Sequence, residues 1–162
     1  MRLLIFMLTL LFLVRCKKAE EEFQNYLTME IDGVAVACDS YIQASEDPGH
    51  PTQLLSISGN WKSSPLEVGA IAIELYGYDN TPGEKQLLSP SGITIWLTHK
   101  DGRGGEDTDR YYARESDAKL NIMEVNKKYI RGTFACTSTT MQSNGTVVKK
   151  SFTNGSFYIN RG

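Results

Sequence analysis

Histidine and cysteine are scarce: 162 residues hold two His and three Cys. With only His50 and His99 to act as bases, and no HExxH, GxSxG, Walker A or paired CxxC pattern, the sequence carries no recognisable hydrolase triad, zinc-protease helix or phosphate loop. His50 falls in the turn Asp47-Pro48-Gly49-His50-Pro51 and His99 closes a strand-like segment, so both read as surface residues. An excess of positive charge is missing too. The formal net charge is −2 and the sequence pI about 5.7, which gives no field to hold a phosphate backbone, and nucleic acid is not an expected partner. Nor is there an apolar run near the ~20 residues that a membrane-spanning helix needs. Internal repeats and low-complexity tracts are absent.

What is present is an average globular composition, 41% hydrophobic and 22% charged, in a chain long enough for one domain and a tail. Met1-Arg2 leads into an apolar run from Leu3 to Val14 interrupted only by Thr9. Its position, its length and its lack of an amphipathic face make it the hydrophobic region of a signal peptide, over residues 1–15. Leu13-Val14-Arg15-Cys16 then resembles the lipobox of bacterial lipoproteins, with Arg15 where that pattern has a small residue. The resemblance implies acylation of Cys16 and attachment to a membrane through the acyl chains. Lys17-Lys18 followed by Glu20-Glu21-Glu22 is similar to lipoproteins of the Bacteroidota type, in which an acidic stretch after the Cys directs export to the cell surface. A charged spacer is the simpler alternative for residues 16–27. The expected location is the outer membrane, lipid-anchored and surface-exposed, or the periplasm if the anchor is not made.

With Cys16 acylated, Cys38 and Cys136 remain as an even pair in a compartment that permits disulfides. Two readings stand: a bridge closing a long loop, or two buried free thiols acting as small hydrophobes.

From residue 28 to 162 the pattern has period two, in short apolar alternations broken by Gly, Asn, Pro and Ser. The segments are Met29 to Cys38, Leu54 to Gly59, Val68 to Tyr78, Gly92 to Lys100, Asp109 to Ala113, Lys119 to Val125, Lys128 to Thr137, Thr146 to Phe152 and Ser156 to Asn160. Turn residues fall between them at Asp32-Gly33, Asp79 to Gly83, Asp101-Gly102, Asn126-Lys127 and Asn144-Gly145. The alternative of a helix capped near Ser63 and running through Ala70 to Ile73 loses to the alternation of Ile71, Ile73 and Leu75 with Ala72, Glu74 and Tyr76. The expected fold is all-β: an antiparallel β-sandwich or open barrel of about nine strands. Leu120-x-Ile122, Ile130-Arg131-Gly132-Thr133-Phe134-Ala135-Cys136 and Phe152-Thr153-Asn154-Gly155-Ser156-Phe157 resemble a family of Bacteroidota lipoproteins of unknown function that share a G-T-F strand and a final T-(D/N)-G-x-F strand. Pro82 to Leu87 resembles part of an earlier element of that family, with Lys85 in place of an aromatic. The resemblance implies a β-sandwich whose motif glycines serve strand bends.

Three sets of residues bear on function. If Ile71, Ile73 and Leu75 face the core, Tyr76 and Tyr78 project from the other face, and Trp96 likewise opposes Ile93, Ile95 and Leu97. The three rings are candidates for stacking on a glycan or a protein ligand. The loop from Asp101 to Asp109 gathers Asp101, Glu106, Asp107 and Asp109 among glycines, as a calcium site would, but lacks EF-hand spacing and contains Arg103. Glu46 with Asp47, or Glu106 with Asp107, are adjacent carboxylates that cannot flank a glycosidic bond from opposite sides. No cofactor is implied. The sequence thus points to a non-catalytic binding or envelope-structural protein, with a surface glycan-binding module as the sharper alternative and a small secreted hydrolase, or an inhibitor of one, as the alternative from another class.

Overall fold

Alternation in the sequence becomes alternation in space along eleven strands. A computed structural model describes residues 23–47, 53–64, 67–100, 105–142 and 145–161. The signal segment, Cys16, His50, Asp101 and Arg103 lie outside the described residues. The strands are β1 (Tyr26–Ile31), β2 (Val34–Ala37), β3 (Ser40–Asp47), β4 (Leu54–Ser64), β5 (Glu67–Tyr76), β6 (Gly83–Lys85), β7 (Gly92–Lys100), β8 (Glu106–Ala113), β9 (Ala118–Val125), β10 (Tyr129–Met141) and β11 (Val147–Asn160). One 3₁₀ turn, Glu115–Asp117, is the single helical piece among the described residues. The strands form two antiparallel sheets, β2-β1-β11-β10-β9-β6 and β3-β4-β5-β7-β8, and neither closes on itself. The molecule is an all-β, two-sheet antiparallel sandwich.

Nine expected segments become eleven strands for local reasons. Asp32 and Gly33 both take positive φ, 50° and 83°, which turns the first segment into the hairpin β1–β2. The two last segments are a single strand, β11, bent at Asn154: Phe134 pairs with Gly155 and Cys136 with Phe152, so Asn154 is the extra residue of a bulge and takes φ 51°. The edge strands β3 and β6 escaped the sequence reading because β3 is mostly polar, in SYIQASED, and β6 is only three residues long. The folded domain also begins earlier than residue 28, since Leu27 is fully buried in β1.

The core is the inner faces of both sheets. Leu27, Leu120, Ile122, Ile130, Phe134, Phe152, Phe157 and Ile159 come from the six-stranded sheet. Leu55, Ile57, Trp61, Ile71, Ile73, Ile93, Ile95 and Tyr111 come from the five-stranded one. Tyr111 meets Phe152 edge-on across the gap, with ring centroids 5.7 Å apart. At the centre of the larger sheet, Gly132 of β10 pairs with Phe157 of β11, and Phe134 of β10 pairs with Gly155 of β11. Each ring covers the glycine opposite. A β-carbon on Gly132 would lie 2.7 Å from the Phe157 ring and 2.3 Å from the Asn121 carbonyl oxygen, and one on Gly155 would lie 2.6 Å from the Phe134 ring. Trp61 and Gly69 repeat the arrangement between β4 and β5.

Cys38 and Cys136 are both buried free thiols rather than a disulfide. Register explains why. Cys38 donates its N–H to the Leu27 carbonyl beyond β2, level with Phe157 and Gly132, whereas Cys136 lies four residues further along β10. Three strand spacings and four residues of rise separate them by about 20 Å, well beyond the ~6 Å between bridged Cα atoms. Burial pushes both thiols up to about 12, with Asp39 adding to the rise at Cys38.

Gly132→Ala and Gly155→Ala are each expected to lower the urea midpoint, by about 1–3 kcal/mol of overpacking, with little change in the denaturant slope. The native protein should resist thiol alkylation at pH 8 and take up label at both Cys38 and Cys136 once unfolded. An intact mass 2 Da below the reduced value would contradict the free-thiol arrangement.

Candidate binding face

The outer face of the six-stranded sheet is where the register assembles a surface with chemical character. Glu84 of β6 pairs with Asn121 of β9, Asn121 with Thr133 of β10, Thr133 with Ser156 of β11, and Ser156 with Thr28 of β1. These five residues therefore form one row across five strands. Their neighbours Leu120, Phe134, Phe157 and Leu27 are buried inside, which leaves the row facing outward. The Thr28 and Ser156 hydroxyls are 2.9 Å apart. Above the row is a shallow groove of about 680 Å³, lined also by Lys119, Ala135 and Asn154. The Asn154 bulge and the short edge strand β6 open that side of the sheet.

Two residues further along β1 and β11 the chemistry changes from polar to aromatic. Tyr26 of β1 pairs with Tyr158 of β11, and their rings stack with centroids 6.2 Å apart and planes at 21°. On its other side Tyr158 stacks against Tyr129 of β10 at 4.8 Å and 28°. Phe23 tilts onto Tyr158 at 5.5 Å. At 4.8 Å the rings lie face over face, because edge-to-edge neighbours would collide. Tyr158 thus packs closely against Tyr129, with Phe23 and Tyr26 as its further ring neighbours. Tyr129 donates its hydroxyl proton to Glu124, which holds the phenol up, and Glu124 also accepts from Arg131 at 2.8 Å.

Arg161 organises the end of the sandwich where this ladder stands. Its guanidinium pairs with Glu46 of β3, donates to Asn80 Oδ1 at 3.2 Å and to the Asn126 carbonyl at 2.8 Å, and its backbone N–H reaches the Lys128 carbonyl. A second cleft, of about 610 Å³, opens between these residues. With its partners already engaged, Arg161 ties β3 and two loops to the last strand.

The three aromatics that were candidates for a platform do not meet. Tyr78 is only 2% exposed: β5 ends at Tyr76, Gly77 takes φ 73°, and the chain turns Tyr78 back to plug the side of the sandwich beneath Lys85, whose Nζ stands 5.6 Å from the ring centroid. Burial pushes the Tyr78 phenol up to about 12, and its hydroxyl has no hydrogen-bond partner among the described residues. Tyr76 and Trp96 do lie on the outer face, but Trp96 pairs with Ala70, six residues from Tyr76 along β5, or about 20 Å. Arg110 stands over the Trp96 ring at 5.8 Å.

The acidic loop is split in the same way by strand geometry. Its carboxylates Glu106, Asp107 and Asp109 belong to β8, so Glu106 points to the face opposite Asp107 and Asp109. Asp109 is buried and accepts from Gln142 Nε2 at 3.1 Å. Among the described residues no group of three His, Cys, Asp or Glu could hold a metal. His99 is 3.8 Å from a Glu67 carboxylate oxygen, with both side chains substantially exposed.

The sequence reading missed Tyr26, Tyr129, Tyr158 and the polar row. Alternation with the buried Phe157 and Ile159 was enough to place Tyr158 outside, but only the cross-strand register brings the rings together.

The fold is a two-sheet antiparallel β-sandwich, and the outer face of its larger sheet carries the polar row and the aromatic ladder. No protein-family model, curated protein or solved structure matches the chain.

Tyr78→Phe should change stability by less than about 1 kcal/mol, since its hydroxyl has no hydrogen-bond partner among the described residues to lose. Tyr78→Ala should cost about 3–5 kcal/mol. Equilibrium urea unfolding of the two variants separates this packing role from ligand contact.

Proposed function

We propose that this chain is a lipid-anchored, extracytoplasmic, non-catalytic binding domain that takes a saccharide chain across the outer face of its six-stranded sheet. The observation that carries the reading is the row Glu84–Asn121–Thr133–Ser156–Thr28, aligned by register. Two hydroxyl groups, a third from Thr133, one amide and one carboxylate offer both donors and acceptors, as a polyhydroxyl ligand requires. Four strand spacings give the row a length of about 19 Å, enough for a short oligosaccharide. Water-bridged and direct hydrogen bonds from such an open groove suit modest affinity and exchange.

Among the described residues Glu84 is the one carboxylate lining the groove, whereas hydrolysis of a glycosidic bond calls on two that flank it; this supports binding over cleavage. Anchoring through Cys16 rests on the signal-like run and the lipobox resemblance of Leu13-Val14-Arg15-Cys16. The outer membrane, with the domain at the cell surface, is the location that follows. The kinship with Bacteroidota lipoproteins rests on the G-T-F and T-N-G-x-F segments.

A glycan array screened with the full chain is the direct test. Retention of at least one glycan class is expected, weakened roughly tenfold by Asn121→Ala or Thr133→Val, the loss of about one hydrogen bond. Trp96→Ala should leave retention unchanged. An array with no retained glycan sinks the saccharide reading.

A further inference from the structure

The aromatic ladder stands at the end of the sandwich from which the N-terminal segment departs. Asn25 fixes that point of departure to both sheets: its Oδ1 accepts the Asn160 N–H at 2.8 Å and its Nδ2 donates to the Ile42 carbonyl at 3.2 Å. Asn160 Nδ2 in turn donates to the Phe23 carbonyl at 2.8 Å. From Phe23 back to Cys16 there are seven residues of chain, which reach at most about 25 Å when fully extended. β11 alone, with 14 residues, is about 45 Å long. An anchor at Cys16 therefore keeps the ladder end near the bilayer and lets the hairpin between β10 and β11 stand away from it.

We propose that this end is a membrane-seating surface, in which Phe23, Tyr26, Tyr129 and Tyr158, with Lys127 and Lys128, rest on the headgroups of the bilayer that holds Cys16. The proposal depends on the lipid-anchor reading and not on the saccharide reading. Ring geometry separates the ladder from the groove beside it. A sugar stacks on an open ring face, but the central ring, Tyr158, is hemmed in by Tyr129 at 4.8 Å, Phe23 at 5.5 Å and Tyr26 at 6.2 Å between ring centroids. What an edge-on ladder offers is apolar ring edges with polar tips, the amphipathic character that places Tyr at a membrane–water interface. Phe23 is 59% exposed and Tyr26 44%, so a large apolar surface lies where the tether begins. Lys127 and Lys128 are exposed in the turn that leads into Tyr129, placed to meet anionic headgroups.

The test uses the acylated full-length product, purified from membranes, with acylation confirmed by intact mass, and reconstituted in phosphatidylethanolamine–phosphatidylglycerol nanodiscs containing a diazirine-bearing phosphatidylglycerol. After photolysis, peptide mapping should find label on residues 23–27 and 126–131, and at least fivefold less on the β10–β11 hairpin and around Trp96. Phe23→Ser combined with Lys127→Ser and Lys128→Ser should cut the label at Tyr129 severalfold while the acyl mass and urea midpoint stay the same. Label spread evenly over the surface, or concentrated at the hairpin, overturns the seating surface while leaving the anchor intact. Label at the ladder that appears only when a glycolipid is added makes it a saccharide contact and also overturns the proposal. An unacylated mass removes the anchor, and the seating surface with it, whatever the glycan array shows.

Discussion

Everything distinctive about this sandwich depends on the seam between β10 and β11, where two phenylalanines and two glycines sit in crossed pairs. The strands can keep normal spacing under two bulky inward rings because each ring lies over a residue with no side chain. Phe134 and Phe157 then reach the core together, and Gly132 and Gly155 become positions where even a methyl group collides. These are the glycines of the G-T-F and T-N-G-x-F segments, and their role in this chain is close packing. The Asn154 bulge belongs to the same device. It shifts the β10–β11 register by one residue beside the crossed pairs, and Asn154 itself lines the groove on the outer face.

The same long strand couples that seam to the functional surface. Because side chains alternate, fixing Phe157 inward fixes Ser156 and Tyr158 outward, one in the polar row and the other in the ladder. Asn160 at the end of β11 and Arg161 just after it hold the entry of β1, the end of β3 and the turn between β9 and β10. A single strand thus sets the core and both outer surfaces, as well as the point at which the tether leaves. Moving its register by one residue would turn Phe157 out and Tyr158 in.

Much of the fold was legible in the sequence because period two is a local property. The limits of β7 agree in both readings, the Asp32-Gly33 and Asn126-Lys127 turns lie where turn chemistry places them, and the competing helix at Ser63 is strand on both sides of residues 65–66. Legibility failed where the pattern was polar, as in the edge strand β3, or was interrupted, as at Asn154. The site was far less legible. Tyr78 was placed outside by extending an alternation through Gly77, where the backbone leaves the strand. Glu106 and Asp109 seemed to converge because sequence proximity says nothing of opposite faces. For Cys38 and Cys136 the sequence left a bridge and two buried thiols open, and the sheet decides for free thiols by setting them about 20 Å apart.

The sequence by itself determined the class of fold and, for most strands, which side of each residue faces the core, since these follow from hydrophobic periodicity and turn chemistry within a few residues. Only the tertiary structure decided which residues from different strands stand side by side. Cross-strand register is set by packing between segments more than a hundred residues apart, such as β1 with β11. That register alone made a row of Glu84, Asn121, Thr133, Ser156 and Thr28 and set Tyr26 opposite Tyr158, while ring packing laid Tyr129 against Tyr158 beside it.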